Sequence, residues 1–166
     1  MHAISIITPA FNEEKNLPLF YNKIKDIFKK IKFDYEWIVI DDHSTDSSFD
    51  VIKKLSKKDK RVIGLRLSKN LGSHKAITAG INVSKGKCAI IMASDLQHPP
   101  ESIPILLDKW ESDYQVIWAV RNKRKDDSIM RKFTTRIFYS TLIHLVGLKN
   151  ISVFSVVYQN HWPLLS

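Results

Sequence analysis

The chain has 166 residues, of which 44% are hydrophobic, and this length suits one compact domain with its own apolar core. Its formal net charge of +9 favours an anionic partner, although a lysine-rich surface exposed to solvent explains scattered lysines equally well. The single cysteine, Cys88, excludes an internal disulfide and a paired-cysteine metal site, and it favours a reducing, cytoplasmic setting.

Neither of the apolar stretches in the sequence has the length of a membrane helix. The apolar stretch at residues 4–7 is short and is ended by Pro9. It therefore indicates a first strand and not a signal peptide. Residues 137–148 are interrupted by polar side chains and fall short of the roughly 20 residues that cross a bilayer. We therefore expect no segment of this sequence to span a membrane by itself.

Short β-branched runs alternate with helical patterns along the first 120 residues, which is typical of a parallel sheet flanked by helices. A first strand is predicted at 3–8, and a helix follows because apolar residues recur at helical spacing from Leu17 to Ile31, with Asn16 as its cap. The remaining strands are predicted at 36–40, 62–67, 88–92 and 115–120. The remaining helices are predicted at 47–55, 73–83 and 100–110.

The segment after the first predicted strand contains residues that suit a nucleoside. Ligands of such open sheets bind at the carboxyl ends of the strands. Pro9 stiffens the turn, Phe11 offers a ring for stacking on a base, and Glu13 can accept hydrogen bonds from a base edge. A structural interpretation stays open, in which Pro9 ends the strand and Asn12 prepares the next helix.

Two adjacent carboxylates, Asp41 and Asp42, end the second predicted strand among apolar neighbours. Their burial costs desolvation energy unless a ligand or backbone amides compensate for it. Asp42 is placed to accept a hydrogen bond from a base N–H. Residues 44–46 have a simpler interpretation as caps for the following helix.

The segments after the third and fourth strands contain groups that suit phosphates and a metal ion. Residues 67–75 combine a glycine, a helix start and two lysines, without the Walker-A order or a GxGxxG pattern. Asp95 and Gln97 follow the fourth strand and offer the hard oxygen ligands that Mg²⁺ or Mn²⁺ prefers. Asp95 is also open to interpretation as a helix cap. Together, the four strand ends predict a site for a nucleoside diphosphate.

Four strings in these segments resemble glycosyltransferase family 2 in order and spacing: Pro-Ala-Phe-Asn-Glu at 9–13, Asp-Asp-His-Ser-Thr-Asp at 41–46, Asn-Leu-Gly-Ser-His at 70–74 and Asp-Leu-Gln-His-Pro-Pro-Glu at 95–101. The resemblance covers roughly the first 140 residues. It is closest to the branch of dolichol-phosphate mannose synthase and bactoprenol (undecaprenyl-phosphate) glycosyltransferase. It implies a GT-A fold, a Rossmann-like and mostly parallel sheet flanked by helices.

The resemblance also implies an activity. The expected enzyme is an inverting glycosyltransferase that moves a sugar from a nucleotide-diphosphate sugar to a polyprenyl phosphate, for cell-envelope glycan or lipid-linked sugar synthesis. The string at 70–74 favours UDP over GDP as the donor nucleotide, because it is more like the bacterial undecaprenyl branch. The expected location is the cytoplasm, peripheral at the inner face of the membrane.

Individual roles follow from the same resemblance, position by position. The donor nucleotide would be bound by Pro9, Phe11, Glu13, Asp41 and Asp42. Asp95 would be the catalytic residue and, with Gln97, would hold the Mg²⁺ or Mn²⁺ ion. The chain departs from the family at 93–95, where Ala-Ser-Asp replaces the usual Asp-x-Asp. We expect this change to lower the metal affinity or to make the metal depend more on the diphosphate.

Residues 121–150 form a basic segment that becomes apolar, with seven cationic residues against two aspartates within 121–136. An apolar helical face from Ser128 onward suits an anionic membrane surface, and a helix packed on the domain is the alternative. By resemblance, Arg121 and Arg131 would bind the acceptor phosphate, with Thr135 as a hydroxyl partner. The predicted organisation is therefore a donor-binding core at 1–120, this acceptor and membrane-surface segment, and a tail at 151–166.

The tail does not continue the family pattern, so we expect a chain truncated at its C-terminus relative to the family. Together with the missing carboxylate at Ala93, this keeps open a non-catalytic remnant that binds nucleotide sugars without turnover. A nucleic-acid-binding module is disfavoured, because the strands carry no RNP-like aromatic motif. The sequence does not indicate an oligomeric state.

Overall fold

The computed structural model describes residues 4–96, 99–112, 114, 116–118 and 156–159. All of them belong to one compact unit, which comprises 1–118 and 155–166. The predicted basic segment at 121–150 lies outside the described residues.

Strands and helices alternate along the described chain, as the sequence predicts. Their order is β1 (Ile4–Ala10), α1 (Asn16–Phe28), β2 (Tyr35–Asp41), α2 (Ser48–Lys58), β3 (Val62–Arg66), α3 (Ser73–Val83), β4 (Cys88–Ile91), a 3₁₀ turn (Pro100–Ser102), α4 (Ile103–Glu111), β5 (Val116–Trp118) and β6 (Val156–Gln159).

The strands form one sheet in the order β3-β2-β1-β4-β6-β5. Strand β1 pairs in parallel with β2 and β4, and β2 pairs in parallel with β3. Strand β6 was not predicted; it runs antiparallel between β4 and β5. The prediction of an α/β fold with a mostly parallel sheet is confirmed. Because β2 and β4 flank β1 on opposite sides, the strand order reverses there, and open sheets bind ligands at such a switch point.

Helices cover both faces of the central strands, which explains why β1 and β2 are almost entirely buried. Phe20 of α1 packs on Trp37 of β2, with ring centroids 5.6 Å apart. On the opposite face, α3 approaches the sheet closely at Gly80. A Cβ atom there would lie 2.6 Å from both Ile40 Cδ1 and Ile7 Cγ2, so the approach requires glycine.

The ends of three helices differ from the sequence predictions: α1 ends at Phe28 and not at Ile31, α4 begins at Ile103 after a 3₁₀ turn, and α2 is shifted. The prediction of Asn16 as a cap is wrong, because Asn16 is the first residue of α1 and Lys15 occupies the cap position. The Asn16 side chain instead donates from Nδ2 to Glu13 Oε2 at 2.7 Å. Helix α2 begins at Ser48, one residue later than predicted, and continues to Lys58.

At the amino edge of the sheet, a fully buried carboxylate is held by its neighbours. Glu36 Oε1 accepts hydrogen bonds from Ser5 Oγ and from the Lys85 amide, both at 2.6 Å. The Gly86 amide in turn donates to Ser5 Oγ at 2.8 Å. We refer to Ser5, Glu36, Lys85 and Gly86 as the amino-edge cluster.

Across the described part of the chain, we find no helix that is both long enough and apolar enough to traverse a bilayer.

Candidate functional site

The loops that follow the four parallel strands each contain one residue with a positive φ angle. These residues are Asn12 (57°), His43 (63°), Gly72 (83°) and Leu96 (59°). Glycine adopts this conformation freely and asparagine tolerates it, whereas a leucine there is strained by about 1–2 kcal/mol. Backbone strain gathered at one edge of a sheet is typical of a functional site.

The loop after β1 presents an aromatic side chain to solvent. Phe11 is 44% exposed, directly after a strand in which Pro9 pairs with Ile40. A phenyl ring of this exposure provides a face for stacking on a flat ligand. The half-buried Glu13 follows, with its carboxylate hydrogen-bonded to Asn16 and its amide donating to Ser48 Oγ at 2.7 Å.

Asp42 connects the loops after β1, β2 and β3. Its amide donates to Ala10 O at 2.8 Å, and its carboxylate accepts from the Leu71 amide at 2.7 Å and the Gly72 amide at 2.8 Å. These amides compensate for the burial of the carboxylate, which is only 4% exposed. Each carboxylate oxygen keeps a further lone pair for a ligand N–H. Leu71 itself is 44% exposed beside this contact.

Asp41 is fully buried and holds the loop after β2 in place. Its Oδ1 accepts from the Ser44 amide at 3.1 Å. Its Oδ2 lies 3.2 Å from Arg66 Nε, an ion-pair distance without hydrogen-bond geometry. Arg66 Nη2 also donates to Ser44 O at 3.1 Å. A nucleotide could therefore contact Asp41 only after this loop opens, and its predicted role in direct binding stays a prediction.

Asp46 supports the start of α2 from just before the cap position, which Ser47 occupies. The interpretation of Ser44 and Thr45 as caps is wrong, because their hydroxyl groups bond to Asn12 in the loop after β1. Asp46 Oδ1 accepts from the Ser48 amide at 2.9 Å, and its Oδ2 accepts from the Glu14 amide at 3.2 Å. Burial raises the pKa of Asp46, but the hydrogen bonds from Ser48 and Glu14 outweigh burial and hold this pKa below its ordinary value. In return, the Ser47 amide donates to Glu14 Oε2 at 3.0 Å.

The segment after β4 contains one described carboxylate that suits a metal ion. Asp95 is exposed, Ser94 is buried and Ala93 is half-buried. Within the described ranges, no three His, Cys, Asp or Glu residues lie close enough to hold a metal by themselves. Mg²⁺ often binds through one or two carboxylates plus substrate phosphates, so Asp95 fits an ion that arrives with a diphosphate. The predicted second ligand, Gln97, lies outside the described residues.

The predicted acceptor-phosphate residues Arg121, Arg131 and Thr135 also lie outside the described residues. Sequence reasoning assigned no site role to Asn12, Ser48 or Arg66, which hold the loops of the site. A left-handed turn at Asn12 was foreseeable from the tolerance of asparagine for that conformation. No local signal marks Ser48 or Arg66, because their partners are distant in sequence.

The chain matches one known family and several known proteins over most of its length. The model of the family described as Glycosyl transferase family 2 matches residues 5–158. The chain is 36% identical over 138 residues to the uncharacterized glycosyltransferase YkcC of Bacillus subtilis (strain 168), a match covering 83% of this chain and 43% of the relative. It is 35% identical over 138 residues to the undecaprenyl-phosphate 4-deoxy-4-formamido-L-arabinose transferase of Pseudomonas fluorescens (strain SBW25), covering 82% and 40%. The chain thus spans less than half the length of these relatives.

Solved structures share the fold at low sequence identity. Glucosyl-3-phosphoglycerate synthase from Mycobacterium tuberculosis, in complex with Mn²⁺, UDP-glucose and phosphoglyceric acid, superposes with a TM-score of 0.67 at 18% identity. The match covers 95% of this chain and 56% of that chain. At this identity the likeness concerns the fold alone, and it confirms the predicted GT-A architecture.

Proposed function

Because the chain belongs to glycosyl transferase family 2, we propose that the carboxyl edge of its sheet binds the nucleotide part of a sugar donor. The observation that carries this proposal is the arrangement around Asp42, whose carboxylate anchors the Leu71 and Gly72 amides between exposed apolar side chains. A base that stacks on Phe11 and donates an N–H to Asp42 would satisfy both the apolar and the polar groups of this edge.

The donor in this proposal is a nucleotide-diphosphate sugar, with UDP preferred to GDP. Pro9, Phe11, Glu13 and Asp42 would surround the nucleoside, and Asp41 would contribute by holding the Asp42 loop. The preference for UDP rests on the string at 70–74 alone.

A divalent ion, Mg²⁺ or Mn²⁺, would be held by Asp95 and Gln97 together with the donor diphosphate. Once bound, such an ion neutralises negative charge that develops on a departing diphosphate. The exposed carboxylate of Asp95 suits this role, and Mn²⁺ accompanies the donor in the structurally similar synthase.

The proposed reaction is a single displacement with inversion at the anomeric carbon. An oxygen of a polyprenyl phosphate forms the new bond to that carbon, while the bond from carbon to the donor β-phosphate oxygen breaks. The electron pair leaves with the nucleoside diphosphate. A phosphate acceptor is already largely ionised near neutral pH, so the reaction needs positioning and charge stabilisation more than a general base.

The acceptor side of the proposal rests on the basic segment at 121–150. Arg121 and Arg131 would bind the acceptor phosphate and Thr135 would donate a hydroxyl hydrogen bond. The same segment would place the protein at the cytoplasmic face of the membrane, for lipid-linked sugar or cell-envelope glycan synthesis. The name of the Pseudomonas fluorescens relative, an undecaprenyl-phosphate transferase, supports such an acceptor.

The test combines nucleotide binding with turnover. Purified chain is titrated calorimetrically with UDP and with GDP in the presence of Mn²⁺, and is then incubated with UDP sugars, Mn²⁺ and undecaprenyl phosphate in vesicles. We expect UDP to bind more tightly and mass spectrometry to detect a glycolipid. Nucleotide binding without product would favour the non-catalytic alternative, which Ala93 in place of a carboxylate motivates. Failure of both nucleotides to bind would refute the donor-site proposal.

A further inference from the structure

The loops after β1 and β2 are joined by hydrogen bonds that centre on Asn12. Asn12 Oδ1 accepts from the Thr45 amide at 2.9 Å, from Thr45 Oγ1 at 3.2 Å and, at a longer 3.4 Å, from the Asp46 amide. The Asn12 amide donates to Ser44 Oγ at 2.9 Å. We call these contacts the Asn12 clamp. They link loops that lie more than thirty residues apart in sequence.

The clamp requires a backbone conformation that few residues adopt. Asn12 has a φ angle of 57°, in the left-handed region where asparagine and aspartate are the best tolerated residues after glycine. Glycine would fit the backbone but has no side-chain acceptor. Most other residues would be strained. The position therefore calls for a short side chain that carries a carbonyl or carboxylate oxygen.

The clamp lies between the residues that the proposed function assigns to the nucleoside. Asn12 separates Phe11 from Glu13, and the loop that it holds begins directly after Asp42. Three further bonds join the same loops, from Glu13 N to Ser48 Oγ, from Glu14 N to Asp46 Oδ2 and from Ser47 N to Glu14 Oε2. The stacking ring and the base acceptor thus belong to separate loops, and the clamp is the part of this network that lies between them.

We propose that Asn12 is a positioning residue, which preassembles the nucleoside pocket by locking the Phe11 loop to the Asp42 loop through the Thr45 and Asp46 amides. This inference rests on the proposed function, since it assumes that the pocket takes a nucleotide. Without the clamp, fewer bonds hold the two loops together, so nucleotide binding must complete their ordering, and that ordering reduces the affinity.

The test compares two substitutions at Asn12 with one at the opposite edge of the sheet. Asn12→Gly keeps the left-handed backbone and removes the acceptor, whereas Asn12→Asp keeps both. Ser5→Ala removes a buried hydroxyl of the amino-edge cluster and serves as a control for general loss of stability. Each protein is titrated calorimetrically with UDP and Mn²⁺, and its thermal unfolding is recorded.

We expect Asn12→Gly to raise the Kd for UDP about tenfold, because part of the binding free energy must then order loops that the three bonds to Asn12 Oδ1 had held. Asn12→Asp should stay within about threefold of the unaltered chain, because it retains the oxygen acceptor. Ser5→Ala should unfold at lower temperature and bind UDP as the unaltered chain does. Equal UDP affinity of Asn12→Gly and the unaltered chain would overturn the inference, as would equal weakening by Ser5→Ala.

A second readout needs no ligand and separates the clamp from the proposed function. Hydrogen exchange of the Thr45 and Asp46 amides should accelerate at least about tenfold in Asn12→Gly and remain slow in Ser5→Ala. Unchanged exchange would overturn the clamp itself. The unaltered chain could bind neither UDP nor GDP while hydrogen exchange responds as expected. That result would refute the proposed function and the role of Asn12 in donor positioning, but it would support the clamp as a structural contact.

Discussion

The two edges of the sheet both bury a carboxylate, yet they differ in what surrounds it. At the amino edge, Glu36 is fully buried and bound by Ser5 and Lys85. At the carboxyl edge, Asp42 is nearly as buried and bound by the Leu71 and Gly72 amides. In both places hydrogen bonds offset part of the cost of burying a carboxylate, through both oxygens of Asp42 but only through Oε1 of Glu36.

The difference lies in strain and exposure. The left-handed residues among the described ones, Asn12, His43, Gly72 and Leu96, all follow the carboxyl ends of strands. The exposed ring of Phe11 lies at that edge too. A buried carboxylate therefore does not by itself mark a site; its neighbours do. The amino edge is closed by packing, while the carboxyl edge keeps groups that a ligand can still contact.

The amino edge contains a second set of hydrogen-bonded polar side chains, which lies between α2 and β3. Arg61 forms a bidentate pair with Asp59, and Tyr21 donates to the same carboxylate at 3.0 Å. The hydrogen bonds from Arg61 hold the pKa of Asp59 well below its ordinary value. Burial raises the pKa of the neighbouring Tyr35 to about 12. These hydrogen bonds and the Arg61–Asp59 ion pair stabilise the fold.

Removing the carboxylate of Asp42 should have the largest effect on the open edge. Asp42→Ala takes away the acceptor for a base N–H and releases the Leu71 and Gly72 amides. We expect the Kd for UDP to rise about 100-fold, since hydrogen bonds to charged groups are the stronger kind. Calorimetry checks this value, with Asp42→Asn as a control of matched size. An affinity within about threefold of the unaltered chain would contradict the site.

Removing the Ser5 hydroxyl tests the closed edge. Ser5→Ala removes the hydroxyl that accepts from the Gly86 amide and donates to Glu36 Oε1. The free energy of unfolding should fall by about 1–3 kcal/mol, as expected for unsatisfied buried groups. Urea denaturation measures the loss. UDP affinity should be unchanged, and a parallel fall in affinity would show that the two edges are not independent.

Restoring a carboxylate at Ala93 should sharpen the metal side of the open edge. Ala93→Asp places a second hard oxygen ligand two residues before Asp95. We expect the Mn²⁺-dependent part of UDP binding to tighten about tenfold, because metal affinity rises with ligand charge. Ala93→Asn is the matched neutral control. Calorimetric titrations with and without Mn²⁺ give the comparison, and identical results for both variants would argue against a metal ion beside residue 93.

Relieving the strain at Leu96 should have the smallest effect. Leu96→Gly permits the observed φ of 59° without steric conflict, although glycine also makes the unfolded chain more flexible. We expect a net change of at most about 1 kcal/mol toward higher stability, measured by thermal unfolding. If the strain positions Asp95, UDP binding with Mn²⁺ should weaken at the same time. A clearly destabilised variant would mean that the side chain of Leu96 contributes packing that outweighs the strain.

Local patterns in the sequence were sufficient to predict most elements. The spacing of apolar residues predicted α1, and α3 was predicted at the residues where it is observed. The strands β1, β2 and β4 are mostly continuous apolar runs, and such runs indicate buried parallel strands. Strand β3 was also expected to be buried on both faces, but among the described strands it pairs only with β2, and it is buried only at Val62. Strand β6 was not predicted, because its four residues form strand pairs only with β4 and β5, which are remote from it in sequence.

Site residues could be predicted where their chemistry is local. Aspartates after apolar strands, a proline and a phenylalanine in one short string, and the order of four such strings were sufficient to identify the family. The partners of these residues were not predictable. Asp42 and Leu71 are separated by 29 residues, and Asn12 and Thr45 by 33. Contacts over such distances depend on the register of the sheet, which sequence periodicity does not specify.

By itself, the sequence determined the α/β fold class, the family and the edge of the sheet at which polar residues collect. Each of these follows from residue types that are close together in the chain. Only the tertiary structure decided that Asp41 is fully buried and paired with Arg66, and that Asn12 joins two loops. The physical reason is that a hydrogen bond depends on the distance and direction between its atoms, and folding alone brings remote segments to that geometry.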